Sequence, residues 1–530
     1  MKIEELIIKY IDKNPIKNRQ QLDNLKRSYA KRYQTFLPSN VELLKAYHKL
    51  VENKTIKKNE DLEKLLITLP GRSLSGIVNI SVLTKPYPCP GQCVFCPIES
   101  GFPKSYLKGE PAADRAFDLN YDPYWQVKKR LEMLVSQGHN VDKMELRIIG
   151  GTWSFYPKQY RTWFIKRCFE AANSFGKTKK SSQRKNLLIV QKENEKAKVR
   201  IVGLSIETRP DYITEEEVKN LRQLGVTMVE LGVQSVFNDV LAINQTGLTE
   251  EIIAQATKIL RQGGFKILYH LMPNLSGSNR EKDLLMFQKV FNDKRFKPDW
   301  IKIYPVVVME NTKLFQLWKE KKYQPYTDEQ LINLLIEIKK LLPYWVRVAR
   351  IIRDIPAPKI VAGTKISNLR EIIQREMKKK NLTCHCIRCR EIRGNYNLKE
   401  KIFLFREDYE VAQGKEIFLT FENKDRTKLF SLLRLFISDK NEKPIFNCLK
   451  SSSIIREIRT YGELVPLEKK ELAPQHRGLG KKLIKEAEKI TKKEFRLNKI
   501  AVIASVGTRD YFRKQGFRLE ESYMTKNLNF

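Results

Sequence analysis

The stretch Lys85-Pro-Tyr-Pro-Cys-Pro-Gly-Gln-Cys-Val-Phe-Cys-Pro97 sets Cys89, Cys93 and Cys96 in a C-x3-C-x2-C spacing. Three thiolates this close can each hold one iron of a cubane iron–sulfur cluster. With no fourth cysteine nearby, the fourth iron is left open to a ligand. Two blander readings stand beside this one: a zinc knuckle, which needs a fourth ligand close by, and chance clustering among eight cysteines.

The flanking sequence places this loop in an α/β fold. From about 75 to 345, apolar β-rich runs alternate with amphipathic helical stretches. Strands are predicted over 77–83, 144–149, 201–207, 227–233, 266–271 and 300–304. One intervening helix presents Val127, Leu131 and Leu134 on one face, and two others open on the capping boxes Thr214-x-x-Glu217 and Thr327-x-x-Gln330. Repeated βα units predict a parallel sheet curling into a barrel or partial barrel, with its chemistry beyond the strand C-termini. The residues just past successive strands are Cys89, Cys93 and Cys96, then Gly150-Gly151-Thr152, Glu207, Gln234, His270 and Tyr304. All of these are expected to converge on one mouth. Glu207 could accept hydrogen bonds from a ligand, or form an ion pair with Arg209.

The chain of 530 residues is too long for one core, and its 42% hydrophobic content is ample for several. Lys and Arg number 99 against 61 Asp and Glu, a formal +38, which points to a polyanionic partner, nucleic acid before a membrane surface. No apolar run approaches the roughly 20 residues of a membrane span, and Met1–Tyr10 lacks a signal-peptide apolar region, so a cytoplasmic location is expected. The cysteines fall into two clusters, which reads as metal chemistry in a reducing compartment. Four domains are expected. Residues 1–70 form a basic helical segment with Lys26, Arg27, Lys31 and Arg32 as RNA contacts or a solvated face, and 71–345 form the barrel. Residues 346–400 are a connector and 401–530 an α+β domain on an antiparallel sheet. Within the barrel, residues 176–200 carry nine Lys or Arg against two Glu and read as a mobile basic surface segment.

The second strong motif is Gln475-His-Arg-Gly-Leu-Gly-Lys-Lys-Leu-Ile484, which closes a loop and opens a helix. Gly478 and Gly480 would let backbone amides cradle a pyrophosphate at the positive helix end, with Arg477, Lys481 and Lys482 adding charge. An ordinary capped turn is the plainer reading. Between the strands expected at 454–460 and 499–504, it resembles the coenzyme A loop of the GNAT acetyltransferases. Tyr511, in Gly507-Thr-Arg-Asp-Tyr-Phe512, could supply a proton, or both aromatics could be core packing. Cys384, Cys386 and Cys389 form the second cysteine cluster, read as a structural zinc site without an identified fourth ligand or as free thiols. His48 and His139 read as surface or helix-end groups rather than ligands.

The C-x3-C-x2-C spacing is the signature of radical S-adenosylmethionine (SAM) enzymes. A radical SAM barrel followed by a GNAT domain closely resembles the catalytic subunit family of Elongator. The likeness runs from about Pro70 to the C-terminus through Ser205-Ile-Glu-Thr-Arg-Pro-Asp-Tyr, Glu230-Leu-Gly-Val-Gln-Ser, Arg347-Val-Ala-Arg-Ile-Ile-Arg-Asp-Ile-Pro and Val506-Gly-Thr-Arg-Asp-Tyr. It implies a 4Fe-4S cluster on Cys89, Cys93 and Cys96, with SAM held at Gly150, Gly151, Glu207 and Gln234. Acetyl-CoA is implied at Lys143, Glu457, Ile458, Arg459, Thr460, Gln475, Arg477, Gly478, Leu479, Gly480, Lys481, Tyr511 and Phe512, with Lys143 and Tyr511 as catalytic groups. The implied reaction is conversion of a tRNA wobble uridine to 5-carboxymethyluridine. The implied partners are the tRNA anticodon stem-loop, a reductant and a second copy of the chain. The sequence departs from the family at Phe512, where a second tyrosine stands in relatives, and at Asn244-Gln-Thr-Gly-Leu. Its cluster spacing is the general radical SAM one, shorter than in eukaryotic members. Two other readings are a protein lysine acetyltransferase with a structural cluster and a tRNA-binding scaffold with decayed centres.

Overall fold

The computed structural model describes all residues except 1, 70, 72, 74, 178–184, 394–396, 398–399, 463–477 and 529–530. Four helices open the chain: α1 (Ile3–Lys13), α2 (Arg19–Arg32), α3 (Asn40–Glu52) and α4 (Glu60–Leu66). Asn18 and Asn59 cap the starts of α2 and α4, and Ser39 with Glu42 forms a full capping box on α3. Ile7, Ile8, Leu22, Leu43, Leu44 and Tyr47 close a core of their own, and α3 packs on the helix Pro123–Ser136. One expectation fails here. Lys26 is buried, donating to Asn40 Oδ1 at 2.9 Å, because it lies on the inner face of α2 and is spent in holding α3.

The barrel sheet has seven strands in sequence order: β1 (Val78–Leu83), β2 (Lys143–Ile149), β3 (Arg200–Thr208), β4 (Met228–Gln234), β5 (Lys266–Leu271), β6 (Trp300–Ile303) and β7 (Arg347–Ile351). Every adjacent pair is parallel. Among the described residues β1 and β7 are not paired, so the barrel is open at one side. The strand β7 falls where a connector was expected. Its inward Arg347 pairs with Glu391 at 2.6 Å, and that charge obscures the strand pattern in Arg347-Val-Ala-Arg-Ile351.

The basic segment 176–200 is also more ordered than expected where it is described. Leu187–Asn194 forms a helix capped by Asn186, with Val190, Gln191 and Asn194 buried. Asn194 locks it down by donating to Val199 O and accepting from Ile201 N–H. His139 is buried against Ser73 Oγ at 2.7 Å, whereas His48 lies at the surface beside Glu63.

The C-terminal domain is a mixed sheet, ordered β13-β14-β12-β11-β10-β9-β8. Its strands are β8 (Phe403–Val411), β9 (Gly414–Glu422), β10 (Leu429–Ser438), β11 (Ser452–Thr460), β12 (Lys499–Val502), β13 (Arg518–Glu520) and β14 (Tyr523–Asn527). Only β11 and β12 run parallel, and the helix Leu479–Lys493 crosses between them. The two domains share one hydrophobic core that includes Phe418, Leu432, Ile454 and Val506. Buried charges also cross the seam. Asp299 meets Arg456 at 2.5 Å and Arg434 at 3.5 Å, and Glu416 meets Arg261 at 3.0 Å.

Candidate active site

Beyond the C-terminal ends of the barrel strands lies a cavity of about 310 Å³. It gathers Cys89, Cys93 and Cys96 with Gly150, Gly151, Thr152, Glu207, Gln234, His270 and Tyr304, as strand order predicted. Gly150 sits at φ +138°, and a Cβ there would lie 2.1 Å from Thr84 Oγ1, so glycine is required. A Cβ on Gly91 would likewise meet Arg209, which packs against the cysteine loop and forks onto Asp211 at 2.8 and 2.9 Å. The Glu207–Arg209 pair is therefore not formed. Glu207 accepts instead from Tyr106 Oη at 2.8 Å and Lys302 Nζ at 3.0 Å.

Sequence reading missed the charges inside this barrel. Glu230 is fully buried and accepts from Arg147 at 2.9 Å, His270 at 3.1 Å and Ser205 at 3.2 Å, with Lys302 in contact. Burial opposes its ionisation, but Arg147, Lys302 and His270 together hold its carboxyl well below the usual range. Burial and Lys302 push His270 down, favouring the neutral imidazole. The Glu207, Glu230 and His270 ligand atoms lie within 4.8 Å of one another. Lys302 and Arg147 already supply the positive charge a metal would bring, so the group is an ion-pair network. The signal was available: Glu230 in Met228-Val-Glu-Leu231 and Lys302 in Trp300-Ile-Lys-Ile303 interrupt apolar strands on the inward face.

A second cavity, about 890 Å³, opens at the opposite end of the barrel against the C-terminal domain. Lys143, Arg200 and Lys266 line it from the barrel, and Glu457, Ile458, Arg459 and Thr460 from β11. Gly478, Gly480, Lys481, Tyr511 and Phe512 complete it. Gly478 caps its helix at φ +67°, and no acidic side chain occupies the first turn, which leaves the helix-start amides and their positive end free for an anion. The Tyr511 hydroxyl would stand 3.1 Å from a Cβ on Gly480.

One expected contact turns inward: Leu479 is buried in the shared core, leaving only its backbone for a ligand, whereas Phe512 lines the cavity while packing edge-on against Phe517. Glu457 bonds Arg434 at 2.9 Å, while Arg459 reaches Glu145 across the seam at 3.3 Å. Gln475 and Arg477 lie outside the described residues.

The thiols of Cys384, Cys386 and Cys389 lie within 4.8 Å of one another, close enough to share a metal ion. Hydrogen bonds from Cys384 and Cys386, with Lys339 Nζ at 3.3 Å, hold the Cys389 thiol well below its ordinary range. His385 stacks on Tyr344 at 4.6 Å and is not part of the group.

Residues 87–287 match the Radical SAM superfamily and residues 298–379 the Radical_SAM C-terminal domain. The chain is 40% identical to the tRNA uridine(34) acetyltransferase of Methanocaldococcus infernus, over 99% of this chain and 98% of that one. The chain belongs to the Elongator catalytic-subunit family. The human member, Elongator complex protein 3, is 37% identical over 87% of this chain and 85% of its own length. The family fold is matched by the solved structure of M. infernus Elp3 lacking residues 1–46, with a TM-score of 0.74 and 39% identity over 86% of this chain and all of that one. Radical SAM membership implies a 4Fe-4S cluster and SAM. The first cavity fits them in its three free thiols, its side-chain-free glycine wall and its fixed carboxylate. Among the described residues no helix is long and apolar enough to cross a membrane.

Proposed function

We propose that the protein modifies the wobble uridine of tRNA, joining an acetyl-derived carboxymethyl group to uridine C5. The observation that carries this reading is that one barrel lines both cavities, a thiol-bearing mouth at one end and, at the other, a cavity lined by Lys143, Lys266, Lys481, Gly478 and Gly480. Neither half explains the other. A protein lysine acetyltransferase has no need of a cavity beside Cys89, Cys93 and Cys96, and a decayed scaffold would not keep Gly150 where a side chain clashes. The names of its relatives support tRNA uridine 34 as substrate.

Cys89, Cys93 and Cys96 would hold the cluster, and Gly150, Gly151, Glu207 and Gln234 would bind SAM. When bound, these groups would supply a 5′-deoxyadenosyl radical, an oxidant strong enough to take a hydrogen atom from a carbon such as the acetyl methyl group. Glu207, fixed by Tyr106 and Lys302, orients hydroxyl or amine groups of its ligand. Lys143, Lys481 and the amides after Gly478 would hold the coenzyme phosphates. Burial pushes the Tyr511 hydroxyl up, so it stays protonated near neutrality and can donate. Cys384, Cys386 and Cys389 would hold a structural zinc ion. An external reductant is required, and the helical residues 1–70 would bind the tRNA. Mass spectrometry of tRNA nucleosides after anaerobic incubation with SAM, acetyl-CoA and dithionite tests this. Formation of 5-carboxymethyluridine is expected, and acetylated protein with unmodified tRNA would refute it.

A further inference from the structure

The helices α1 and α2 carry aromatic rings that their own core does not enclose. Tyr10 meets Tyr29 edge-on at 5.9 Å, and Tyr29 stacks on Tyr33 at 6.0 Å with 28° between the rings. Tyr10 is 43% and Tyr33 47% exposed, and in the loop that follows Phe36 is 95% exposed. Phe36 thus leaves its whole ring in water, while Tyr29 rests partly on the helical core. The Arg32 guanidinium lies 5.8 Å from the centre of the Tyr33 ring. The sequence of α2 holds Arg19, Lys26, Arg27, Lys31 and Arg32 against Asp23 alone. With Lys26 engaged by Asn40, Arg32 is the exposed cation beside the ladder, while Arg27 and Lys31 are exposed on other faces of the same helix.

Open aromatic faces flanked by cations match the chemistry of unpaired nucleotides. A base offers a π-face whatever its sequence, and its phosphate answers the neighbouring charge. A protein partner for the same rings would have to bring acidic groups to the α2 cations as well, whereas a nucleic acid supplies both features along one strand. We infer that Tyr10, Tyr29, Tyr33 and Phe36 form a stacking platform for a single-stranded segment of the RNA substrate, with Arg32 on its phosphates. Paired stems hide their base faces, so the platform takes a loop or a free end. The inference rests on the tRNA reading above and goes beyond it, because it gives the N-terminal helices a base-stacking role that charge alone does not.

The experiment measures tRNA binding by the full-length protein across a salt series. Each stacked base contributes a largely salt-independent term, so Tyr33→Ala combined with Phe36→Ala is expected to weaken binding about fivefold to a hundredfold at every salt concentration, with the slope unchanged. Arg32→Gln should instead flatten the slope of log affinity against log salt by about 0.7 to 0.9, the share of one phosphate that is no longer neutralised. Tyr33→Phe with Phe36→Tyr, which keeps both rings, should bind like wild type. A short single-stranded RNA should compete for the wild type and not for the alanine variant. Both rings are exposed, so circular dichroism should be unchanged in every variant. Wild-type affinity in the alanine variant, or no rescue by the ring-preserving pair, overturns the platform while leaving tRNA modification standing. Failure of the wild type to bind tRNA at all overturns both.

Discussion

Lys266 and His270 stand on the same inward face of β5, yet Lys266 lines the cavity beneath the C-terminal domain and His270 the cavity at the cysteine mouth. A strand rises about 3.3 Å per residue, so about 13 Å of barrel interior separates them. A single apolar layer, Met228, Leu268 and Trp300 with Ala349 beside it, fills that interval. The two sites are thus built from shared strands with that layer between them, and an acetyl group carried in the second must pass it to reach the cysteine mouth. Cys93→Ser is expected to abolish iron–sulfur absorbance while leaving acetyl-CoA affinity within about twofold, as for distant independent sites. Calorimetric titration of the anaerobic variant checks both.

Gly478 and Gly480 of the proposed coenzyme loop separate sterics from backbone strain. Among the described residues a Cβ on Gly478 meets nothing within 4 Å, but φ is +67°, so Gly478→Ala should cost about 1–2 kcal/mol of local stability and retain the pocket. Gly480→Glu forces a carboxylate beside Tyr511 at the helix start, where an anion must sit. Acetyl-CoA affinity should fall at least about tenfold in Gly480→Glu, with a normal cluster spectrum; one charge-assisted hydrogen bond is worth about that much.

Glu457 gives a pH signature at the domain seam. Burial raises its carboxyl, but Lys266, Arg434 and Arg459 outweigh this and bring it down to about 2. A depressed acid stabilises the fold above its unfolded value, near 4.5, and that stability is lost as pH falls toward 2. At pH 7 Glu457→Gln should therefore be less stable by about 3 kcal/mol. Its melting temperature should also fall less than the wild type's as the pH drops from about 4.5 to about 2.5. Thermal melts of both proteins across that range check the sign.

The sequence discloses the strand order and both loops, because apolar runs, glycines and clustered cysteines act locally. It hides what the third dimension brings together. Glu145 and Arg147 look like ordinary polar interruptions of β2 until they meet Arg459 and Glu230. Arg347 masks β7, and the short edge pair β13 and β14 carries too little pattern to read. Lys26 looks like its exposed basic neighbours, since burial on one face of α2 is set by Asn40 of another helix. The GNAT glycines were legible, whereas the barrel lysines that complete their cavity were not, apart from Lys143.

Arg209 faces the cysteine loop, fixed there by Asp211 and by the space that Gly91 leaves. A cation at that distance favours the more negative, reduced state of a cluster. Arg209→Gln should lower the midpoint potential of the reconstituted protein, without loss of iron content. Redox titration followed by electron paramagnetic resonance reads this directly, and an unchanged potential would remove Arg209 from the electrostatics of the site.

The central claim is that the group held in the second cavity reacts in the first. Acetyl-CoA with a trideuterated methyl group, supplied with SAM, tRNA and reductant, measures it. The account predicts deuterium in 5′-deoxyadenosine and two remaining deuteriums in the carboxymethyl group of the modified uridine, with both labels absent in Gly480→Glu. Unlabelled 5′-deoxyadenosine accompanying accumulation of modified uridine would contradict it.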